Sequence, residues 1–481
     1  MPAMGQDVDQ ARFDRHDFQR FGERLRAETE LLHALVEGGG LSAHAPVAGL
    51  ELEAWLIDRQ GRPAPRNAEF IERMASPDVV TELGRFNIEL NVPQRPVAGD
   101  GLGRLAADLE QTWRRCREVA AGMGLQAVAI GVLPTLVDAD LTMDNLSDRA
   151  RYRALNQQVL RQRHGRPIRL DIAGPDGGGL LHVEHRDVML EAAATSFQVH
   201  LQVPADETVR HYNAALIASA PMVAMSGNSP LLFGRRLWQE TRIPLFEQAL
   251  NIGAREDGAH APMGRVGFGS GYAGYSLVEC FRENIERFEP LLPVEIDEPA
   301  ERLAHLRLHN GTIWRWNRPL VGFDADGRAH LRIEHRPMAA GPTLGDMMAN
   351  LAFAIGLVAA LAAEPLAPEA RLPFDAARRN FYEAARYGLD ARLEWMDGIA
   401  VEAAELLPAL LPLARSGLAR LEVAPALAGP WLDLIAERLA ARATGARWQL
   451  ARLDALDGDL AALTLEYAAR QAEGAPVHRW R

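Results

Sequence analysis

Lysine is absent from this sequence, so all 52 basic residues among its 481 positions are arginines. Without lysine the chain has no P-loop lysine and no protein-kinase strand lysine. It also has no Schiff-base or pyridoxal-phosphate chemistry. A phosphate-bearing ligand would therefore have to be held by arginine side chains and metal ions.

Cysteine is almost absent as well, with only Cys116 and Cys280 present. Two cysteines form no disulfide framework and have no metal-ligand spacing, which suits a reducing compartment. Residues 6–26 are polar and charged, without the apolar core of a signal peptide. We therefore expect a cytoplasmic protein. The most apolar run, residues 347–363, is short and interrupted by polar residues, and we expect a buried helix there.

Positive charge is also in deficit, because 52 basic residues face 64 acidic ones and the formal net charge is -12. A chain this acidic offers no broad basic surface, so we expect neither a nucleic-acid nor a membrane partner. Small-molecule substrates are the expected partners. The sequence leaves a homo-oligomer open.

Residues 48–57 read as an apolar strand that carries two carboxylates. Side chains alternate along a strand, so Glu51 and Glu53 share one face. Two neighbouring carboxylates repel each other unless the face is solvated or a cation lies over it. The strand is thus either a solvated edge or a platform for a divalent metal ion. Taken alone it favours the solvated edge.

Three further predicted strands carry a polar face opposite an apolar one. They lie within residues 87–91, 191–203 and 329–336, and their polar faces comprise Asn87, Glu89, Asn91, Gln198, His200, Gln202, Arg332, Glu334 and Arg336. Carboxylates with one imidazole suit Mg²⁺ or Mn²⁺, and metal ions with arginines suit nucleotide phosphates. The repetition favours metal-dependent phosphoryl transfer. For the strand with Glu334, an exposed salt bridge is the simpler alternative.

The chain divides by its sequence patterns into three parts. Residues 1–48 contain one amphipathic helix over 13–36, and residues 49–340 mix predicted strands and helices. Residues 341–481 are alanine- and leucine-rich with proline breaks, show no strand pattern, and are predicted to form a helical region packed on the rest. The fold class is α+β.

Six short motifs together resemble the bacterial glutamate–cysteine ligase-like family of carboxylate-amine ligases, in the glutamine synthetase superfamily. The resemblance spans residues 49–337. The motifs are Gly49-Leu50-Glu51-Leu52-Glu53, Glu82-Leu83-Gly84-Arg85-Phe86-Asn87-Ile88-Glu89, Ala194-Thr195-Ser196-Phe197-Gln198-Val199-His200, Asn228-Ser229-Pro230, Glu240-Thr241-Arg242 and Thr312-Ile313-Trp314.

The resemblance implies a concave, mainly antiparallel sheet covered by helices, with ATP entering one side and an amino acid the other. It implies an ATP-dependent ligase that phosphorylates the γ-carboxylate of glutamate and joins it to cysteine or another amine. Two or three Mg²⁺ or Mn²⁺ ions are implied. Carried over by motif, Glu53, Glu82 and Glu89 hold one ion, and Glu51, His200 and Glu334 hold another.

The resemblance also implies roles for the arginines. Arg336 would steady the transferred phosphoryl group, and Arg242 and Arg318 would meet phosphate or a substrate carboxylate, where a planar fork has value. Asn228 is assigned with Arg336 and Arg242 to nucleotide binding.

Two features depart from the family pattern. Asn317 stands where many members have aspartate, and residues 320–329 read as an extended hairpin, which indicates a divergent subgroup. Nothing in the sequence selects cysteine over another acceptor amine. Two alternative functions remain, a guanidino kinase of the same superfamily and a non-catalytic scaffold that binds a nucleotide or metabolite.

Overall fold

The computed structural model describes residues 12–44, 46–252 and 264–481. The predicted N-terminal part, residues 1–48, therefore falls partly outside the described residues, at 1–11 and 45. Its predicted helix is confirmed as α1, Arg15–Glu37. The Asp14 side chain accepts hydrogen bonds from the backbone amides of His16 and Asp17, and this cap starts the helix.

The other helices of the described residues are α2 Asn67–Met74, α3 Gly101–Gly122, α4 Ala150–Gln162, α5 Thr208–Ser226, α6 Arg242–Ala249, α7 Val278–Arg287, α8 Ala304–Asn310, α9 Leu344–Ala362, α10 Phe374–Tyr387, α11 Ala403–Arg420, α12 Pro425–Ala440, α13 Gly445–Ala455 and α14 Leu460–Glu473.

The strands are β1 Val47–Ile57, β2 Val79–Thr81, β3 Asn87–Pro96, β4 Gln126–Val128, β5 Ile168–Ala173, β6 Leu180–His185, β7 Phe197–Gln202, β8 Leu231–Leu232, β9 Arg235–Arg236, β10 Val266–Gly267, β11 Trp314–Arg315, β12 Asn317–Phe323, β13 Ala329–His335, β14 Arg392–Trp395 and β15 Ile399–Glu402.

One curled antiparallel sheet organises the molecule, in the order β12-β13-β7-β1-β3-β2, with β4 paired to the end of β1. Each long strand is two-faced. In β1, for example, Leu50 and Leu52 lie in the hydrophobic core, and Glu51 and Glu53 point to the opposite face. This arrangement confirms the predicted α+β fold with a concave, mainly antiparallel sheet.

Helices α5 and α9 form the centre of the helical layer behind the sheet. Helix α9 is long and apolar enough to cross a membrane by length and composition, and 89% of its most apolar window is buried inside the protein. It packs against α5, α11 and α12. The apolar run at residues 347–363 is thus a core helix, as the sequence predicts.

Two regions differ from the predicted strands. The strand expected over residues 191–203 begins only at Phe197, because Met189–Ala193 form a 3₁₀ turn first. The C-terminal region, expected to be helical, also contains the hairpin of β14 and β15. This hairpin has strands of four residues each, too short for a clear alternating pattern.

Candidate active site

A cavity of about 910 Å³ lies on the polar face of the main sheet. Its charge is divided along the order of the strands. Strands β12 and β13 contribute arginines, whereas β1, β3 and the loop after β2 contribute glutamates. The tertiary structure therefore gathers the polar faces of separate strands around one cavity.

The acidic side of the cavity holds three of the predicted metal ligands. Glu53 and Glu89 lie directly opposite each other in the β1–β3 register, and Glu82 follows β2. Glu53 accepts hydrogen bonds from Ser196 N at 2.6 Å and from Gln198 Nε2 at 2.9 Å. These contacts fix the Glu53 carboxylate. Within the described part of the chain none of the three glutamates forms an ion pair, although arginines influence Glu53 and Glu82 from farther away.

Burial and mutual repulsion raise the pKa of these carboxyl groups. Burial and the charge of Glu82 raise the pKa of Glu53 to about 7. Burial and the charge of Glu89 raise the pKa of Glu82 to about 8, and burial with the charge of Glu51 raises that of Glu89 to about 8. A divalent cation among them would relieve both penalties, because it favours the ionised form. This cluster therefore fits a metal ion.

A second cluster joins three strands. His200 in β7 lies opposite Glu334 in β13, and Glu51 in β1 is close to both. His200 Nε2 is 3.1 Å from Glu51 Oε1 and 3.8 Å from Glu334 Oε1. This buried nitrogen makes no hydrogen bond within residues 12–44, 46–252 and 264–481. One ligand atom from each residue lies within 4.8 Å of the others, which is compact enough for one ion.

Arginines surround Glu334 more closely than any other carboxylate of the site. Arg318 forms a bidentate pair with it, Nε to Oε2 at 2.6 Å and Nη2 to Oε1 at 2.9 Å. Arg336 Nη1 adds a third contact to Oε2 at 3.1 Å. Although burial opposes ionisation, these guanidinium groups hold the pKa of Glu334 well below its usual range. The two clusters thus differ, because the second already has cationic partners.

Two arginines of the site are held in place by the protein. Arg336 Nη1 also donates to Gln198 Oε1, and its buried Nε has no hydrogen-bond partner among the described residues. Arg242, at the start of α6, donates from Nε to Glu240 Oε1 at 3.0 Å and lies over the ring of Trp316. Both guanidinium groups line the cavity.

A model of glutamate-cysteine ligase family 2 matches residues 47–466, most of the chain. This chain belongs to glutamate-cysteine ligase family 2. As a member of this family it is an ATP-dependent ligase that forms C–N bonds. The family match also runs through most of the predicted C-terminal region, while the division near Gly341-Pro342 remains a prediction.

Solved structures similar to this chain include two ligases. A glutamate-cysteine ligase from Francisella tularensis in complex with AMP is 10% identical, with 90% of this chain and 94% of that chain covered and a TM-score of 0.48. A bifunctional glutathione synthetase from Pasteurella multocida is 11% identical, with 92% and 55% covered and a TM-score of 0.48. A search of curated proteins gave no match.

Of the residues carried over from the family, Asn228 alone is placed away from the cavity and from the two carboxylate clusters. Its side-chain nitrogen donates to Ala340 O at 2.7 Å and to Tyr467 Oη at 2.8 Å. Its side-chain oxygen accepts from Gln449 Nε2 at 2.8 Å. The side chain thus ties the segment after β13 to α13 and α14, and both of its amide donors and its oxygen are engaged within the protein.

Residue patterns alone did not identify several charged side chains that line the cavity, and Glu191 and Arg151 are among them. Burial and the charge of Glu82 raise the pKa of Glu191 to about 8. Glu191 lies in the 3₁₀ turn before β7, where strand alternation gives no guide to direction. Arg151 is one of three arginines in five residues at the start of α4, and sequence cannot tell which of them faces inward.

Proposed function

We propose that this member of the family joins the γ-carboxylate of glutamate to an amine through an acyl-phosphate intermediate. One observation carries the proposal. A single cavity combines Glu53 of β1 and Glu89 of β3, which form no ion pair with any described residue, with guanidinium groups on β12 and β13. Phosphoryl transfer from ATP to a carboxylate needs both, because metal ions and arginines must offset the charges of two anions.

The reaction has two steps. A γ-carboxylate oxygen of glutamate attacks the γ-phosphorus of ATP, the bond to the β-phosphate oxygen breaks, and ADP leaves. The neutral amine then attacks the acyl carbon, the C–O bond to phosphate breaks, and the amine loses a proton. Phosphorylation is required because a free carboxylate has no suitable leaving group.

Two groups of residues would hold the divalent metal ions. Glu53, Glu82 and Glu89 would hold one divalent ion, and the cluster of Glu51, His200 and Glu334 would hold another. Such ions, when bound, neutralise phosphate charge and orient the transferred group.

Arginine side chains would contact the phosphates. Arg336 is oriented by Gln198 and Glu334, and its Nε has no hydrogen-bond partner among the described residues. Its guanidinium group would stabilise the charge that develops on the transferred phosphoryl group. Arg318 presents its guanidinium from β12, and Arg242 presents its own from α6.

The test is a turnover assay with the full chain, ATP, Mg²⁺ or Mn²⁺, L-glutamate and a panel of amines. We expect ADP release that needs both glutamate and at least one amine, and a γ-glutamyl product by mass spectrometry. Addition of excess chelator should abolish both. Full activity after chelation would contradict the metal requirement.

The alternatives give different results in the same assay. A guanidino kinase would release ADP only with guanidino compounds and would give a phosphorylated guanidine as product. This result would contradict the ligase proposal. Nucleotide binding without any product would leave the scaffold interpretation.

A further inference from the structure

Glu191 and Arg151 reach the acidic side of the cavity from two elements outside the main sheet. Glu191 lies in the turn Met189–Ala193, and Arg151 lies in the first turn of α4. Both line the cavity, and both are half-buried. The family motifs include neither of them.

Neither charge is satisfied within the described part of the chain. The Glu191 Oε2 atom is shielded from solvent and makes no hydrogen bond. No hydrogen bond or ion pair joins the Arg151 guanidinium to any described residue, whereas its neighbour Arg153 pairs with Asp148. A shielded polar atom without a partner is costly, so the Glu191 carboxyl group lowers the stability of the protein unless a partner satisfies it. A bound ion, water molecule or ligand can satisfy such a group.

The two groups interact without pairing. Arg151 acts to lower the pKa of Glu191, although burial and Glu82 outweigh it. Even so, the two side chains form no ion pair with each other. An acidic and a basic side chain therefore face one cavity without pairing with each other, and a ligand that carries both an ammonium and a carboxylate would offer a partner to each.

We propose that Glu191 and Arg151 form a subsite for the head group of an α-amino acid, with the ammonium at Glu191 and the carboxylate at Arg151. This inference rests on the proposed function, which supplies amino-acid substrates. A guanidinium fork binds a carboxylate with two parallel hydrogen bonds, and a carboxylate binds an ammonium as a charge-assisted partner. Glutamate and an amino-acid acceptor share this head group.

Binding is tested by calorimetry on the full chain with Mg²⁺ and a non-hydrolysable ATP analogue. The first ligand set is L-glutamate, glutarate, which lacks the ammonium, and 4-aminobutyrate, which lacks the α-carboxylate. The second set is L-cysteine, 3-mercaptopropionate and cysteamine, which differ in the same way. The set whose affinity responds to the variants identifies the substrate that uses the subsite.

Each substitution should weaken the binding of only those ligands that carry the group bound by the substituted side chain. Glu191→Gln should lower the affinity for the intact amino acid by about 10-fold or more. The affinity for the analogue without the ammonium group should not change. Arg151→Gln should lower the affinity for the intact amino acid by a similar factor. The affinity for the analogue without the α-carboxylate should not change. The matched controls Glu184→Gln and Arg153→Gln, both exposed, should bind all six ligands like the wild type.

Two results would overturn the subsite. The first is binding of both amino acids within threefold of wild type in both variants. The second is an equal loss of affinity for an amino acid and for its truncated analogues, because this result would indicate a structural defect. The calorimetry measures binding and not turnover. A chain that binds glutamate through this pair but forms no product in the separate turnover assay would contradict the proposed function and leave the subsite standing.

Discussion

At the scale of single residues, Glu334 and its arginines are the most tightly coupled group of the site. Glu334 is fully buried and accepts from both Arg318 and Arg336, so its negative charge is what keeps two guanidinium groups at the cavity wall. His335, the next residue, lies on the opposite face and contacts Asn317 Oδ1 at 2.7 Å. The predicted alternation along β13 is thus confirmed.

Substitutions of Glu334 and Arg336 should therefore fail differently. Glu334→Gln keeps the shape but loses the charge and places an amide N–H against guanidinium donors. We expect a loss of about 3–5 kcal/mol in the free energy of unfolding, with weaker nucleotide–metal binding and lower turnover. Arg336→Lys keeps the charge but loses the planar fork, so turnover should fall by about 10²-fold while ATP binding changes less.

His335→Gln is the control, because the side chain points away from the cavity. It should change stability rather than turnover, as measured by chemical denaturation, calorimetry and steady-state kinetics. Near-normal turnover in Arg336→Lys, or a dead His335→Gln enzyme, would show that the assignment of the strand face is wrong.

At the scale of elements, pairing of β1 with β3 places Glu53 directly across from Glu89. Like charges opposite each other destabilise a sheet. The sheet tolerates this pair because the raised pKa values allow both groups to hold protons near neutral pH. The strand pairing thus has a stability cost that depends on pH and on bound cations.

This pairing predicts a pH-dependent response to metal. Glu53, Glu82, Glu89 and Glu191 ionise near pH 4.5 when unfolded but hold protons up to about pH 7 to 8 when folded. Between these values the folded state binds more protons, so their contribution to the free energy of unfolding falls as pH rises. A cation displaces these protons, so Mg²⁺ or Mn²⁺ should raise the melting temperature more at about pH 9 than at about pH 6.

The measurement is thermal unfolding across pH with and without the metal. Glu82→Gln should be more stable without metal at high pH and should gain less from it. A metal-induced rise that is the same at every pH, or unchanged in Glu82→Gln, would contradict the assignment of this cluster.

At the scale of the whole molecule, the C-terminal region supports the site from behind. Glu247 in α6 accepts from Trp316 Nε1 at 2.8 Å and from Tyr382 Oη of α10 at 2.9 Å. Trp316 in turn lies under Arg242. Burial raises the pKa of Glu247 to about 7, although the hydrogen bonds from Trp316 and Tyr382 act to lower it. A side chain of the C-terminal region thus helps to fix an arginine of the cavity.

Removing this contact should affect both stability and catalysis. Tyr382→Phe leaves a buried acceptor with one partner fewer, which should cost about 1–3 kcal/mol in the free energy of unfolding. Turnover should fall because Trp316 and Arg242 are held less firmly. Tyr275→Phe, at a fully exposed tyrosine, is the control for both denaturation and kinetics. Unchanged turnover in a destabilised Tyr382→Phe enzyme would limit this contact to a structural role.

The sequence by itself determined the faces of the strands that carry the site. Alternation is a local property of the backbone, so Glu51, Glu53 and Glu334 could be assigned to polar faces from their spacing alone. The same holds for the long amphipathic and apolar helices, α1 and α9. The family motifs lie on these regular elements or beside them.

Only the tertiary structure decided which polar groups meet. Strand order places the arginines of β12 and β13 on one side of the cavity and the glutamates of β1 and β3 on the other. The tertiary structure also places Asn228 away from the cavity, and it brings Glu191 and Arg151 to the cavity from a turn and a helix end. These placements depend on packing between segments far apart in the chain, and no local periodicity encodes that packing.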